Sequence, residues 1–566
     1  MANKKIICIA LAVGLIGLSS AGSSFQRFEA SAQNVSSQSA ETAQAAGDLD
    51  STFGQQGKIT TDFFGSDDGA GAVALQNDGK IVVAGNATSA STGLDFALAR
   101  YNADGSLDLG FGSQGKVTTD FFGNTDLASS VAIQPDGKIL AGGNAKTSFI
   151  NTDFALARYN SDGSLDPTFG SGGKVTTDFF GGVDEVFAIA LQSNGKIVLA
   201  GHANMVNASG GDFALARYNS DGTLDATFNN TGKVTTDFFG DSDAAFDVAI
   251  DTNGRIVAAG QAVAAGTGSD FAVVRYNADG SLDSTFNHTG KVTTDFSGAY
   301  DEALAMRIQS DGRIVAAGWT SRGQDFSFHP SDDFALVRYN VDGSLDTSFG
   351  ANGKVQTDFH SGTDRIVDLA IQTDGKLVGA GLTIGPSGDS STTMDFGLAR
   401  YNSDGSLDAT FGAQGLVTTD FFHDTDKAIA VAIQKDGNIV AVGSAVHPPF
   451  GSDFALARYI GGSPASMPDF SLSAPATITG QPATKVSAMV SINRVGGFTG
   501  NVTVSPPPSV PGIKIPQTPL STTGDSAAFR IKVKGSAKPG SHDLTFTGRD
   551  DTGALVHTVT VTLVVQ

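Results

Sequence analysis

The clearest chemical pattern in this 566-residue chain is a set of aspartates that recur at a fixed offset. In seven repeated segments an aspartate lies six residues after the end of a Thr-Thr-Asp or Gln-Thr-Asp motif: Asp68, Asp126, Asp184, Asp243, Asp301, Asp364 and Asp426. Hard cations prefer carboxylate oxygens, so a ring of these aspartates would suit a calcium ion. The alternative is that each aspartate accepts backbone N–H bonds within its own turn.

A second group of candidate binding residues stands where the segments differ from one another. The last three segments contain the only tryptophan, together with cationic and aromatic side chains near their loops: Trp319, Arg322, His329, His360, His423, His447 and Phe450. Nearby, Arg307 replaces an alanine found in the other segments, and Asp247 and Asp368 replace small residues in the adjacent ones. This group is either a ligand-binding site or solvated loop variation around one compensated ionic cluster.

An arginine occupies the same position in every segment: Arg100, Arg158, Arg217, Arg275, Arg338, Arg400 and Arg458. An arginine beside a buried strand needs a charged or hydrogen-bonding partner, and each segment offers aspartates such as Asp108 and Asp120. Seven equivalent catalytic arginines are hard to rationalise. We therefore interpret them as members of structural Arg–Asp pairs.

Other catalytic templates are weak. Beyond residue 32 the chain contains only Glu41, Glu185 and Glu302 as glutamates, and no histidine pair has metal-ligand spacing. No glycine-rich phosphate loop precedes a helical pattern. A Ser-His-Asp triad remains open, because its members need not be close in sequence. The turn at residues 102–108 lacks the end ligands of an EF-hand loop and is interpreted as a plain turn.

These residues are positioned by an internal repeat. A Leu-Asp-x-x-Phe motif starts at seven positions with spacings of 58, 58, 59, 58, 63 and 62 residues: Leu49, Leu107, Leu165, Leu224, Leu282, Leu345 and Leu407. Each unit contains four segments of strand character, which in the first unit are residues 58–63, 72–76, 80–85 and 95–101. Asp78-Gly79 predicts a tight hairpin between the second and third segments.

Four antiparallel strands repeated seven times predict an all-β fold, a seven-bladed β-propeller over residues 49–459. The segment at residues 95–101 is apolar at odd and even positions, as expected for a blade covered on both faces. If residues 72–76 are innermost, the lone strand at 58–63 completes the last blade and closes the ring. This register places the aspartate ring and the longest loops, residues 319–332 and 382–394, on one face.

The unit LD-x-x-FG-x-x-GKVTTDF, followed by DGKIVVAG and DFALARYN-x-DGSLD, resembles the delta-60 repeat β-propeller family of exported bacterial proteins. The departures are small, such as Ser297 and His360 in place of a second phenylalanine. The resemblance implies a propeller in an extracytoplasmic setting and implies no activity. After a linker at residues 460–468, short alternating segments over 469–566 predict a two-sheet β-sandwich similar to bacterial Ig-like modules.

The first residues of the chain indicate export. Lys4 and Lys5 precede an apolar run at residues 6–18, which is too short for a permanent membrane anchor. We predict a signal peptide over residues 1–32, with cleavage after Ala21 or Ala32, and a disordered linker over 33–48. The only cysteine, Cys8, lies within the signal, so the mature protein would have no disulfide.

Charge narrows the expected function. Without residues 1–32 the chain carries 33 basic and 57 acidic side chains, a net charge of −24, which argues against nucleic acid and anionic lipid. We expect a secreted, cell-surface or periplasmic bacterial protein without a membrane span. It would be a monomeric, non-catalytic binding or scaffold protein that presents a propeller face to a protein or glycan, with calcium as its only candidate cofactor. The alternative is a secreted polysaccharide-active hydrolase or lyase with an acidic site on that face.

Overall fold

The structure is a computed structural model that describes residues 44–148, 151–205, 210–264, 268–296, 300–321, 332–359, 362–384, 393–449, 451–462, 469–495, 500–551 and 556–566. The predicted all-β class is confirmed, because the regular elements in these ranges are strands and none is a helix. Accordingly, the described ranges contain no helix with the length and apolar character needed to cross a bilayer.

The described part of the repeated region contains 28 short strands. In chain order they are β1 (Lys58–Thr61), β2 (Asp68–Leu75), β3 (Ile81–Ser89), β4 (Gly93–Tyr101), β5 (Lys116–Thr119), β6 (Asp126–Ile133), β7 (Ile139–Lys146), β8 (Thr152–Tyr159), β9 (Lys174–Thr177), β10 (Gly181–Leu191), β11 (Ile197–Met205), β12 (Gly211–Tyr218), β13 (Lys233–Thr236), β14 (Asp243–Ile250), β15 (Ile256–Ala264), β16 (Gly268–Tyr276), β17 (Lys291–Thr294), β18 (Tyr300–Ile308), β19 (Ile314–Ser321), β20 (Asp333–Tyr339), β21 (Lys354–Thr357), β22 (Asp364–Ile371), β23 (Leu377–Thr383), β24 (Asp395–Tyr401), β25 (Leu416–Thr419), β26 (Asp426–Ile433), β27 (Ile439–Val446) and β28 (Ser452–Tyr459).

Consecutive strands pair antiparallel into sheets of four: β2–β5, β6–β9, β10–β13, β14–β17, β18–β21 and β22–β25. One bridge, between Val183 and Thr152, also links β10 to β8. A further sheet has the order β1-β28-β27-β26, so the first strand of the region pairs with the last. The first strand of the β2–β5 sheet begins at Asp68, earlier than the sequence predicts, because Asp68 already pairs with Ala87.

The second and third strands of each sheet are buried on both faces, as their sequences predict. Residues 81–85 of β3 and residues 96–101 of β4 are all buried. Val82 and Phe96 pack together with Ile139 and Ala155 of the following sheet. The hydrophobic core therefore lies between successive sheets, and neither face of these strands needs polar side chains.

The first strands of neighbouring sheets contact one another in series. β2 contacts β6, and the contacts continue through β10, β14, β18, β22 and β26, which in turn contacts β2. Each first strand contains a bulge, such as the one between Ala70 and Ala72. This arrangement is consistent with a β-propeller.

The C-terminal residues form two further sheets from nine strands: β29 (Asp469–Ser473), β30 (Thr477–Gly480), β31 (Lys485–Val495), β32 (Val502–Ser505), β33 (Ile513–Lys514), β34 (Leu520–Thr522), β35 (Ser526–Val533), β36 (Gly540–Asp550) and β37 (Val556–Val565). Their orders are β29-β31-β35-β33 and β30-β37-β36-β32-β34, with β30 parallel to β37. Phe470, Val490 and Phe529 of the first sheet share a core with Leu544 and Val561 of the second.

Candidate functional site

The loops at the two ends of the repeated strands carry different side chains. One end contains the loops before each first strand and between the second and third strands, such as residues 62–67 and 90–92. We call this end the aspartate face. The other end contains the loops between the first and second and between the third and fourth strands, such as residues 76–80 and 102–115. We call it the arginine face.

On the aspartate face three aspartates approach one another where neighbouring sheets meet. Asp95 comes from β4, Asp120 directly follows β5, and Asp126 begins β6 of the next sheet. One oxygen from each lies within 4.8 Å of the others. We call these groups seam triads; the others are Asp62, Asp68 and Asp453; Asp153, Asp178 and Asp184; Asp212, Asp237 and Asp243; and Asp270, Asp295 and Asp301. Asp333 and Asp358 are the acidic neighbours of Asp364, and Asp395 and Asp420 are those of Asp426, which also has the Lys58 charge nearby.

The first-strand aspartate of each triad is the residue singled out by the sequence, and its own turn holds it. The Phe121 N–H donates to Asp126 Oδ2 at 2.6 Å. Equivalent bonds of 2.6 to 2.8 Å join Phe63 to Asp68, Phe179 to Asp184, Phe238 to Asp243, Phe296 to Asp301, Phe359 to Asp364 and Phe421 to Asp426. The structure thus contains the turn geometry that the sequence offered as an alternative to cation binding.

Burial changes the protonation of these first-strand aspartates. It raises the pKa of Asp126 to about 6; the Phe121 bond opposes this effect and the charge of Asp120 adds to it. Burial likewise raises the pKa to about 6 at Asp301 and Asp364 and to about 7 at Asp68, Asp184, Asp243 and Asp426. Clustered carboxylates in a desolvated site resist simultaneous ionisation.

The repeated arginines form the predicted ion pairs on the arginine face. Arg158 Nε donates to Asp166 Oδ2 at 2.8 Å, and its guanidinium carbon lies 4.3 Å from the centre of the Phe169 ring. The acidic partner belongs to the Leu-Asp motif, not to the Thr-Thr-Asp motif. The equivalent pairs are Arg100–Asp108, Arg217–Asp225, Arg275–Asp283, Arg338–Asp346, Arg400–Asp408 and Arg458–Asp50.

Arg307 of β18 joins Asp247 of β14 to Asp368 of β22. Its Nη1 lies 2.7 Å from Asp247 Oδ2 and its Nη2 2.7 Å from Asp368 Oδ1. Each carboxylate also accepts a backbone N–H from the following first strand, from Met306 at 2.7 Å and from Val431 at 2.8 Å. The structure therefore brings these three candidates together as an ionic cluster that ties first strands to one another.

Trp319, which the sequence placed at the start of a binding loop, is buried within β19 and only 1% exposed. Its Nε1 donates to Glu302 Oε2 at 3.2 Å, and the Arg365 guanidinium carbon lies 3.8 Å from its ring centre. Asp332 Oδ2 accepts from Arg365 Nε at 2.9 Å. Burial raises the pKa of Glu302 to about 7 against the opposing charge of Arg365. Trp319 is buried because the second strand extends beyond the repeated Gly.

Two candidate histidines lie on the aspartate face. His423 is exposed, and its Nδ1 lies 2.6 Å from Asp420 Oδ2, so it contacts an aspartate near Asp426. The His447 ring stacks on Phe422, with 4.3 Å between ring centres. The other candidates, Arg322, His329, His360 and Phe450, lie outside the described residues, as do most of the loops at 319–332 and 382–394.

A set of exposed phenylalanines on the aspartate face was missed by the sequence argument. Phe64, Phe122, Phe180 and Phe239 are 54, 50, 41 and 51% exposed. Each ring centre lies 6.2 to 6.4 Å from that of the preceding phenylalanine, which faces the core. A signal was available, because two successive phenylalanines after a strand cannot both occupy the same core position. We call these four residues the phenylalanine set.

Hydrogen bonds between neighbouring sheets were also missed. The Tyr159 hydroxyl, at the end of β8, donates to Thr119 Oγ1, at the end of β5, over 2.9 Å. Equivalent bonds of 2.7 to 3.0 Å join Tyr101 to Thr61, Tyr218 to Thr177, Tyr276 to Thr236, Tyr339 to Thr294, Tyr401 to Thr357 and Tyr459 to Thr419. Burial raises the pKa of these tyrosines, so the phenols stay protonated.

Comparison with protein-family models gives six matches to one model, described as a domain of unknown function (DUF5122) beta-propeller. The matched residues are 76–111, 134–169, 192–228, 252–286, 309–349 and 372–411. Each match contains the second and third strands of a sheet and ends near the next Leu-Asp-x-x-Phe motif. No curated protein matches the chain. The matches support a β-propeller repeat family, and the description of that family assigns no activity.

Proposed function

We propose that residues 49–459 form a seven-bladed β-propeller closed by its N-terminal strand and followed, after residues 460–468, by an Ig-like β-sandwich over 469–566. The pairing of β1 with β28 and the contact of β26 with β2 support closure. The ion pair of Asp50 with Arg458 also supports it, because it joins the first Leu-Asp motif to the last repeated arginine. The shared core of the last two sheets supports the sandwich.

We propose that the protein is an exported, non-catalytic binding or scaffold protein that engages a protein or glycan through its aspartate face. The phenylalanine set carries this proposal, because four successive sheets each present an exposed phenyl ring at the same end, and aromatic side chains are enriched at interaction sites. Ser297 occupies the equivalent position in another repeat. The repeat therefore does not require a phenyl ring at this position, and burial in the fold does not account for the ring.

The surroundings of the phenylalanine set suit a polar partner with apolar patches. Asp62 and Asp120, which precede Phe64 and Phe122 closely in the chain, offer carboxylate acceptors beside the exposed rings. Carboxylates accept hydrogen bonds from sugar hydroxyls or basic side chains, and the flat rings pack against apolar surface. Export is proposed from Lys4, Lys5 and the apolar run that follows them.

The test is a binding screen of the full chain against glycans and secreted proteins. We expect replacement of all four residues of the phenylalanine set by serine, the residue found at 297, to weaken binding at least tenfold. The matched control replaces Leu109, which is 72% exposed on the arginine face, and Val341, also exposed there, by serine. Equal binding by wild type and the fourfold variant, or equal losses in the control, would reject the aspartate face as the binding surface.

A polysaccharide-active hydrolase or lyase is the second candidate. A carboxyl group with a raised pKa beside another carboxylate, as at Asp126 and Asp120, is the arrangement that acid–base catalysis uses. Its repetition in successive triads favours a structural function, since a catalytic centre needs one copy. Turnover of a polysaccharide that is lost on replacing Asp120 or Asp126 by asparagine, with an unchanged unfolding midpoint, would favour the enzyme.

A further inference from the structure

Some seam triads contain buried carboxylate oxygens without a full set of hydrogen-bond partners, whereas the equivalent Oδ1 atoms of Asp68, Asp184, Asp243 and Asp364 accept a bond from the second strand. Asp95 Oδ2 accepts the Thr92 hydroxyl and Asp126 Oδ2 accepts the Phe121 N–H, each at 2.6 Å. Asp95 Oδ1 has no hydrogen-bond partner although Asp95 is only 5% exposed, and Asp126, which is 0% exposed, has only the Lys146 backbone N–H near its remaining oxygen. Asp153 Oδ1 and Asp426 Oδ1 are in the same condition. A buried acceptor without a partner is costly, so a ligand that satisfies it would stabilise the fold.

The third aspartate of this triad, Asp120, lies close enough to solvent for a ligand to reach it. Asp120 is only partly buried, and one of its oxygens, Oδ1, accepts the Gly123 N–H at 2.5 Å. Its other oxygen remains for a ligand at the surface. The triad thus combines two buried carboxylates with one that reaches solvent, and all three have an oxygen within 4.8 Å of the others.

We propose that each seam triad binds a calcium ion that cross-links two neighbouring sheets. Calcium accepts six to eight oxygen ligands in flexible geometry, so three carboxylates and several waters would complete its shell. Magnesium demands a more regular octahedron, and zinc prefers nitrogen and sulfur ligands, which Asp95, Asp120 and Asp126 do not supply. The triad of Asp62, Asp68 and Asp453 would join the sheet that contains both ends of the repeated region to the next one.

This proposal differs from a single ion in the mouth of a channel. A central ring would bind one cation through first-strand aspartates alone. The seam triads also need Asp120, Asp95 and their equivalents, and they predict about seven ions per chain because the three aspartate positions recur in all seven repeats. The stoichiometry of binding therefore distinguishes the two sites.

The experiment uses the full chain, freed of metal with a chelator and titrated with calcium chloride. We expect about seven calcium ions per chain and a saturable rise in the unfolding midpoint, because a ligand of the folded state stabilises it. Magnesium at the same concentration should give a smaller rise. A stoichiometry of zero or one, or a midpoint that calcium leaves unchanged, would overturn the proposal.

A set of substitutions locates the ions. Replacing Asp120, Asp178 and Asp237 by asparagine should lower the stoichiometry by about three, while asparagine keeps an oxygen for the turn N–H. The control replaces Asp78, Asp136 and Asp436, exposed aspartates of hairpins on the arginine face, with the same change in charge. Equal loss of calcium in both variants would identify diffuse attraction to an acidic protein and overturn the proposal.

Discussion

Acidic side chains have different charged neighbours on the two faces of the repeated sheets. On the arginine face, Asp166 lies 2.8 Å from Arg158 and 2.6 Å from Lys138. On the aspartate face, Asp184 lies beside Asp153 and Asp178, and among the described residues no basic side chain forms an ion pair with these three. The first arrangement therefore includes basic counter-charges from the chain, whereas the carboxylates of the second lie beside one another and accept hydrogen bonds from backbone N–H groups.

The pKa directions express the same difference. Although burial acts to raise it, hydrogen bonds from Lys138 and Thr168 and the charge of Arg158 hold the pKa of Asp166 well below its usual range. Burial raises the pKa of Asp184 to about 7, and the charges of Asp178 and Asp153 add to the effect. Repetition alone does not separate the aspartates that pair with arginine from those of the seam triads, because both recur in successive repeats. The presence of a basic partner does.

Removing residues 49–64, which contribute side chains to both the arginine face and the aspartate face, should have the largest effect on stability. Residues 49–64 supply β1, the Asp50 partner of Arg458 and the Asp62 member of a seam triad. We expect a chain without these residues to lose cooperative unfolding, since it exposes the edge of β28 and leaves a buried arginine unpaired. Circular dichroism during heating measures this, with a chain that begins at residue 33 as reference. Unchanged melting of the deletion variant would contradict the closure by β1.

The next prediction compares the two faces directly. Replacing Asp166 by asparagine should lower the free energy of unfolding by about 3 to 5 kcal/mol, because it leaves Arg158 buried without its counter-charge. Replacing Asp178 by asparagine, with a chelator present, should change the free energy of unfolding by less than about 0.5 kcal/mol or should raise it. The reason is that this substitution removes a like charge near Asp184. Urea denaturation measures both values. Similar losses would show that the two faces do not differ.

Much of this contrast was accessible from sequence. The repeat period and the β-branched segments predict sheets of four strands, and the recurrence of Arg158 and its equivalents predicts ion pairs. The choice of Asp166 over Asp178 as the partner was not accessible, because both aspartates recur with the same period. The distinction depends on which end of the strand each residue reaches, and that requires the pairing register.

The parts that could not be predicted arise from contacts across sheets. A seam triad joins residues such as Asp95 and Asp126, which are 31 positions apart in different sheets. Trp319 was predicted in a loop because the repeated pattern ends at Gly318, yet the hydrogen-bonded pairing of β19 continues to Ser321. The tryptophan that distinguishes this repeat from the others is therefore buried and does not lie in an exposed loop. The Arg365 side chain covers its indole ring.

A third prediction concerns His202, a buried imidazole near the aspartate face. Burial lowers its pKa but raises the pKa of the first-strand aspartates, so the two kinds of group should change the stability in opposite directions as the pH falls. Burial lowers the pKa of His202 to about 4, so the folded protein keeps its imidazole neutral. An unfolded histidine titrates near pH 6.5 and binds protons first, so stability should fall by about 3 kcal/mol as the pH drops from 6.5 to 4. The nearest acidic group is Glu185, whose Oε2 lies 3.9 Å from His202 Nδ1.

Replacing His202 by asparagine, which stands at the matching positions 86 and 144, should remove this part of the pH dependence. Urea denaturation of wild type and variant at several pH values between 4 and 7 measures the difference, and the carboxylates common to both proteins cancel. The stability of the wild type relative to the variant should fall towards acid pH. A relative stability that stays constant would mean that His202 takes up its proton at the same pH in the folded and the unfolded protein.

The smallest expected effect concerns the bonds that cross between sheets without any charge. Replacing Tyr159 by phenylalanine removes its bond to Thr119 and should lower the free energy of unfolding by about 0.5 to 1.5 kcal/mol. The loss should not depend on pH between 5 and 9, nor on calcium, because neither hydroxyl ionises there. Replacing Tyr101 is the matched variant, since its partner Thr61 belongs to β1. Equal losses for the Tyr101 and Tyr159 variants would indicate that the N-terminal strand β1 packs as tightly as the strands of consecutive sheets. A much smaller loss for Tyr101 would indicate that β1 is held loosely.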